Sequence, residues 1–103
     1  MPTHHRIIVP SPVRVALQKQ ADFIAENATR PVALKWLSGI IAAISSLAEF
    51  PERFSLAPEN EYLGQELGAE IRHLLYKKSF RVIFAVKKNE VRILKVKHSA
   101  QQI

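Results

Sequence analysis

Cysteine is absent from this 103-residue chain. That excludes a disulfide framework, a thiolate zinc site, an iron–sulfur cluster and thiol catalysis, and it fits a reducing compartment. Glycine is scarce: the three glycines stand isolated at positions 39, 64 and 68, so no glycine-rich phosphate loop exists. Asp22 is the only aspartate, and no Ser-His-Asp spacing is recognisable. His4-His5 has no third ligand nearby, and His73 and His98 are scattered, so no metal or other cofactor is expected. The longest uncharged run, residues 36–48, has 13 residues. A membrane span needs about 20, so this run reads as a core helix and no membrane partner is expected. Residues 1–10 carry no apolar stretch of signal-peptide length, and the expected location is the cytoplasm.

What is present fits a single domain, residues 1–103, with an ordinary globular mix of apolar and charged residues. The net charge of +6 is unevenly spread. Residues 1–70 hold six basic and eight acidic side chains, whereas residues 71–103 hold nine basic and one acidic, Glu90. So concentrated a positive field points to nucleic acid or an acidic protein segment. A Lys-rich sheet edge that merely discourages aggregation is the plainer alternative.

Periodicity supplies the elements. Arg6-Ile7-Ile8-Val9, closed by Pro10, predicts a strand. Ser11-Pro12 predicts a helix start, with Ser11 as cap, and Val13, Leu17, Ala21, Ile24 and Ala28 form one apolar face. After a break at 27–30, Pro31 opens a second helix reaching about residue 50. Its stripe is Ala33, Leu37, Ile40, Ile44 and Leu47, widened by Trp36, Ile41, Ala43 and Ala48. A helix so apolar around its circumference is buried on more than one side or offers a face to a partner. Residues 51–61 read as a loop leading to a short turn at 62–68. The period then changes to three strands, 71–76, 80–87 and 90–98, joined by short turns. The predicted fold class is α+β, in the order β-α-α-β-β-β, with a helix hairpin on one face of a mainly antiparallel sheet. Alternation places Phe80, Val82, Phe84 and Val86 in the core, with Leu94 and Val96 beside them. Arg81, Lys95 and Lys97 then stand on the open face, as a groove for a polyanion.

The run Phe80-Arg81-Val82-Ile83-Phe84-Ala85-Val86, a turn, and Val91-Arg92-Ile93-Leu94-Lys95-Val96-Lys97-His98 resembles the RelE/ParE toxin superfamily. So does Ile44-Ser45-Ser46-Leu47-Ala48-Glu49-Phe50-Pro51-Glu52-Arg53 ahead of Leu56-Ala57-Pro58-Glu59. The resemblance covers almost the whole chain and implies a growth-inhibiting toxin of a bacterial type II toxin–antitoxin pair. It implies an acidic antitoxin as partner, a toxin–antitoxin hetero-oligomer, and DNA gyrase or the ribosome with its mRNA as target. RelE-like members cleave message without a metal, while ParE-like members act on gyrase. The long hairpin and the SLAEFPERF…LAPE stretch favour the ParE-like branch.

On the nuclease branch the resemblance makes Arg81 the scissile-phosphate contact. Lys97-His98 falls where a cation followed by His or another cation often stands. The closing Ser99-Ala100-Gln101-Gln102-Ile103 lacks the late tyrosine and extra arginine of some nucleases. The candidate catalytic set is therefore Arg81, Lys97 and His98. His98 is the candidate acid, and a base is lacking unless a lysine is strongly perturbed. Arg72, Lys77, Lys78, Arg81, Lys95 and Lys97 are the candidate target- or antitoxin-binding residues, with an ion pair to Glu66 or Glu70 as the alternative for Arg72. A catalytically silent basic binding module remains the competing reading.

Overall fold

The computed structural model describes residues 4–98; the closing residues quoted above lie outside the described residues. The chain runs β1 (Arg6–Ile8), α1 (Ser11–Asn27), α2 (Arg30–Ser45), two 3₁₀ turns (Ser46–Ala48 and Pro51–Arg53), α3 (Asn60–Leu67), β2 (Glu70–Tyr76), β3 (Phe80–Lys87) and β4 (Glu90–His98). The sheet order is β1-β4-β3-β2. β1 lies parallel to β4, and the other pairs are antiparallel. The expected α+β arrangement is present, with α3 where a loop and a short turn were expected.

Prolines start both long helices, because a fixed φ and a missing N–H cost nothing in a first turn. At α1 the capping acceptor is the Pro10 carbonyl, which takes Val13 N–H at 3.0 Å and Arg14 N–H at 3.1 Å; Ser11 sits inside the helix and does not cap. At α2 the Thr29 hydroxyl accepts from Val32 N–H at 3.2 Å. The second helix ends at Ser45 rather than near residue 50. It tightens into the first 3₁₀ turn, and Phe50 takes a left-handed φ of 51° ahead of Pro51. The Arg53 guanidinium folds back onto the freed carbonyls, donating to Glu49, to Phe50 at 3.2 Å and to Ser46 at 3.4 Å. A cation at a helix C-terminus also suits the dipole.

By length and composition the stretch Arg30–Ala48, 19 residues with a hydropathy of 1.5, is apolar enough to cross a membrane; counting only the uncharged run understates it. Here its stripe of Trp36, Ile40, Ile44 and Leu47 joins Val13, Leu17 and Ala21 of α1 over Leu74, Phe80, Val82, Phe84, Val86, Val91 and Ile93.

The sheet's other face is not open. A second cluster, Ala57, Ile71, Ile83 and Ala85, is buried beneath α3 and its leading loop, with Leu63, Ala69 and Leu94 around it. Strict alternation along β4 fails because the β3–β4 register slips between Ile83 and Phe84. Ile83 pairs with Lys95 and Phe84 with Ile93, which leaves Leu94 as the extra residue of a bulge. Val91 and Ile93 therefore belong to the helix-side core, as does Val96, while Leu94 packs on the second face. This corrects the expected placement of Leu94.

Both hairpin turns are built from lysine. Lys77, Lys78 and Lys88 have φ values of 52°, 62° and 56°. Left-handed backbone costs an L side chain roughly 1–2 kcal/mol, and Asn or Gly normally fills such turns.

Gly39 marks a close approach between α2 and the sheet. Tyr76 Oη donates to the Trp36 carbonyl at 3.2 Å, and a Cβ at Gly39 would clash with the Tyr76 hydroxyl. Gly39→Ala gains about 1 kcal/mol of helix propensity. It loses more, through overpacking of about 1–3 kcal/mol and a broken hydrogen bond of about 1 kcal/mol. The expected outcome in urea unfolding is a net loss of about 1–3 kcal/mol; an unchanged or higher midpoint would show that Tyr76 moves aside freely.

Candidate functional site

The second face carries a polar cluster beside its apolar one. Arg81 on β3 follows the buried Phe80 and precedes the fully buried Val82, so its side chain must emerge on the α3 side. There it meets Glu59, the residue before α3. The contact is a two-pronged fork: Nη1 donates to Oε2 at 3.2 Å and Nη2 to Oε1 at 2.8 Å. Arg81 Nε donates to His73 Nδ1 at 3.0 Å. Lys97 Nζ, from the residue opposite Arg81 on β4, lies 3.8 Å from Glu59 Oε2. The side chains of Arg81 and Glu59 are only 11% and 12% exposed. Burial of this degree gives a bidentate pair more weight than a surface ion pair has.

Local chain geometry explains why Glu59 is there. Asn60 Oδ1 accepts from Ile71 N–H at 2.8 Å, and Ala57 N–H donates to the Ile71 carbonyl at 2.8 Å. These two bonds clamp the start of α3 along the outer edge of β2. They leave Glu59 over the sheet, pointing at β3.

The cluster sets its own protonation. The Arg81 hydrogen bonds hold the Glu59 carboxyl below the usual carboxylate range against the opposing effect of burial, and the Arg81 and Lys97 charges add to this. Burial pushes His73 down, as does the Arg81 charge, with Glu59 partly offsetting both. His73 is thus neutral near pH 7, and accepting at Nδ1 assigns its proton to Nε2.

The six candidate binding residues and His98 fall in three places. Arg81, Lys95 and Lys97 share the second face. Arg72 pairs with Phe84 across β2–β3, which puts it on the opposite, helix-bearing face. It donates to the Glu52 carbonyl at 3.2 Å and the Phe54 carbonyl at 2.5 Å, and pairs with Glu70 at 3.0 Å. Arg72 is therefore a loop anchor and does not extend the cationic groove. Lys77 and Lys78 form the exposed β2–β3 turn, Lys77 Nζ lying 5.7 Å from the Tyr76 ring centre. His98 pairs with Phe80 and lies on the helix side, its ring 4.7 Å from that of Phe80. It borders a groove of about 470 Å³ with Lys19, Gln20 and Phe23.

The proposed catalytic triplet is thus not assembled. Arg81 and Lys97 stand on one side of the sheet and His98 on the other, while Glu59 and His73 already engage each of the three guanidinium nitrogens of Arg81. Sequence reasoning did not single out Glu59 or give His73 a role. The signal available was an acid directly after Pro58, at a helix start opposite the densest cations. Among the described residues no group of acidic or histidine side chains could hold a metal ion.

With this geometry in hand, the chain can be set beside known proteins. The family model described as "ParE toxin of type II toxin-antitoxin system, parDE" matches residues 7–103. The chain belongs to the ParE toxin family. A solved structure, the chromosomal ParDE toxin–antitoxin system from P. aeruginosa, has the same fold with a TM-score of 0.74 at 18% identity, covering 93% of this chain and 97% of that one. Comparison with curated proteins gives no match. The family makes this chain the toxin of a parDE pair and implies a ParD antitoxin as its cognate partner.

For this ParE toxin the cluster predicts acid lability in two steps. Above neutrality neither Glu59 nor His73 changes stability further. Stability falls as pH drops below 6.5, because the unfolded chain protonates His73 more readily than the fold does. It falls again below 4.5, as Glu59 is forced to take up its proton. Glu59→Gln should remove the lower step from a plot of urea midpoint against pH. Arg81→Ala should cost about 3 kcal/mol by leaving Glu59 only its 3.8 Å contact with Lys97, and adding Glu59→Gln should recover part of that. Full additivity of the pair would refute the coupling.

Proposed function

We propose that this toxin arrests growth in the cytoplasm by holding DNA gyrase in an inhibited state, and not by cleaving message. The observation that carries this reading is the separation just described. Metal-free RNA cleavage needs a base, an acid and a charge stabiliser around one phosphate. Here the Arg81 guanidinium is held in a two-pronged pair by Glu59, neutral His73 spends its acceptor nitrogen on Arg81, and His98 faces the far side of the sheet. Each missing acid or base forfeits roughly 10²–10⁴ in rate, whereas trapping a target needs only affinity. Purified toxin should inhibit supercoiling by gyrase while message stays intact in arrested cells, and His98→Gln should arrest growth as wild type does. Codon-specific message cleavage, lost in His98→Gln, is the result that refutes the reading.

The ParD antitoxin, in this reading, presents an acidic amphipathic segment that folds on binding. It fits the groove of about 580 Å³ between α1 and α2, floored by Leu17, Leu37, Ile41 and Ile44 and rimmed by Arg14. Ile41 is 49% exposed there, and such apolar surface calls for a cover. The groove lies on the helix side, so a segment reaching the cations of the second face as well must wrap the sheet. Ile41→Arg should weaken antitoxin capture at least tenfold, about 1.4 kcal/mol, while shifting the toxin's own stability by under about 0.5 kcal/mol. Undiminished capture in a binding titration would place the antitoxin elsewhere.

A further inference from the structure

Among the described residues, the cations of the last third divide into two groups. Arg72, Arg81, Arg92 and Lys97 have acidic partners. Lys77, Lys78, Lys87, Lys88 and Lys95 have none within ion-pair distance, and all five are exposed. The five are not scattered. Lys77-Lys78 form the turn at one end of β3, Lys87-Lys88 stand at its other end, and Lys95 lies between them, paired with Ile83 on the second face.

Three of the five are in left-handed backbone. The β2–β3 turn closes with Ser79 N–H donating to the Tyr76 carbonyl at 3.2 Å, so both of its central residues have positive φ. Asn-Gly would make this turn with less strain. Backbone strain that persists at a surface turn calls for a use of the side chains it displays.

Spacing narrows the partner. At about 3.3 Å per residue, the Lys78-to-Lys88 span along β3 is roughly 30 Å, close to one turn of B-DNA at about 34 Å. The aromatic beside the row, Tyr76, is turned to the helix side with its hydroxyl on the Trp36 carbonyl, so the lysine face offers no ring on which an unpaired base would stack. The apolar grooves an acidic peptide would use flank α1, on the opposite side of the sheet. The nearby acids are engaged or lie to one side: Glu59 with Arg81 and Lys97, Glu90 with Arg6 and Arg92, and the exposed Glu61 and Glu66 on α3, which packs on β2. That confines contact to the β3–β4 side.

We propose that this lysine row binds the phosphate backbone of duplex DNA, the two hairpin turns meeting phosphates about one helical turn apart. The proposal concerns contact with DNA and does not rest on gyrase being the target; gyrase inhibition is read separately, by supercoiling.

The test uses the full chain titrated against a fluorescent duplex DNA oligonucleotide over a series of salt concentrations. Each phosphate contact contributes about 0.9 to the slope of log K against log salt. The variant Lys77→Asn/Lys78→Gly should make that slope shallower by about 1.8 and raise the thermal midpoint by relieving the turn, which shows that it is folded. Arg30→Gln/Lys35→Gln, which removes the same charge from exposed positions of α2, should leave the slope nearly unchanged. An unchanged slope in the turn variant, an equal drop in the control, or tighter binding of duplex RNA than of duplex DNA overturns the proposal.

Discussion

Burial of β3 on both faces is the constraint from which the rest of this toxin follows. Val82, Phe84 and Val86 pack under the helix hairpin, and Ile83 and Ala85 pack under α3 and its leading loop. A strand enclosed on both sides has no solvated place for a guanidinium, yet Arg81 stands in it. A buried charge without a counter-ion would cost several kcal/mol, so the chain supplies Glu59 from the start of α3 and His73 from the neighbouring strand. The same fork that neutralises Arg81 fastens α3, which has no fully buried residue of its own. One ion pair thus serves the strand and its cover, and it withdraws from solvent the cation that a nuclease of the wider superfamily would offer to phosphate.

Much of this was legible from residue order, and the failures are physical. The strands were readable because β-branched runs were bounded by short polar turns. The hairpin was readable because Pro12 and Pro31 sit at helix starts. The end of α2 was missed by several residues because apolar periodicity continues through Leu47, whereas the backbone leaves the α-helix after Ser45, tightens into a 3₁₀ turn and goes left-handed at Phe50. Glu59 and α3 were missed because their role depends on a contact 22 residues distant in the chain. The bulge at Leu94 could not be read from alternation, since Val91, Ile93 and Val96 all needed the helix side and no unbroken two-residue period allows that. The opposed faces of Lys97 and His98 were readable, however, because neighbours in a strand point to opposite sides. Treating the two as one site contradicted the geometry of the strand in which both were placed.

Charge and apolarity are also divided between the faces of the sheet. The helix side carries the groove of Leu17, Leu37 and Ile41, where affinity comes from burial and is weakly sensitive to salt. The second face and the two turns carry the unpaired lysines, where the affinity of a polyanion would come from counter-ion release and be steeply sensitive to salt. Two surfaces with different salt responses can be occupied together or separately by different partners. An antitoxin confined to the groove would leave the lysine row free, and one that wraps the sheet would cover it. The bulge makes this division possible: it turns Val96 inward and Lys95 and Lys97 outward from a strand whose first half faces the opposite way. Without that one extra residue, regular alternation would set two lysines against the apolar stripe of the helix hairpin, and burying unpaired charge there would cost several kcal/mol.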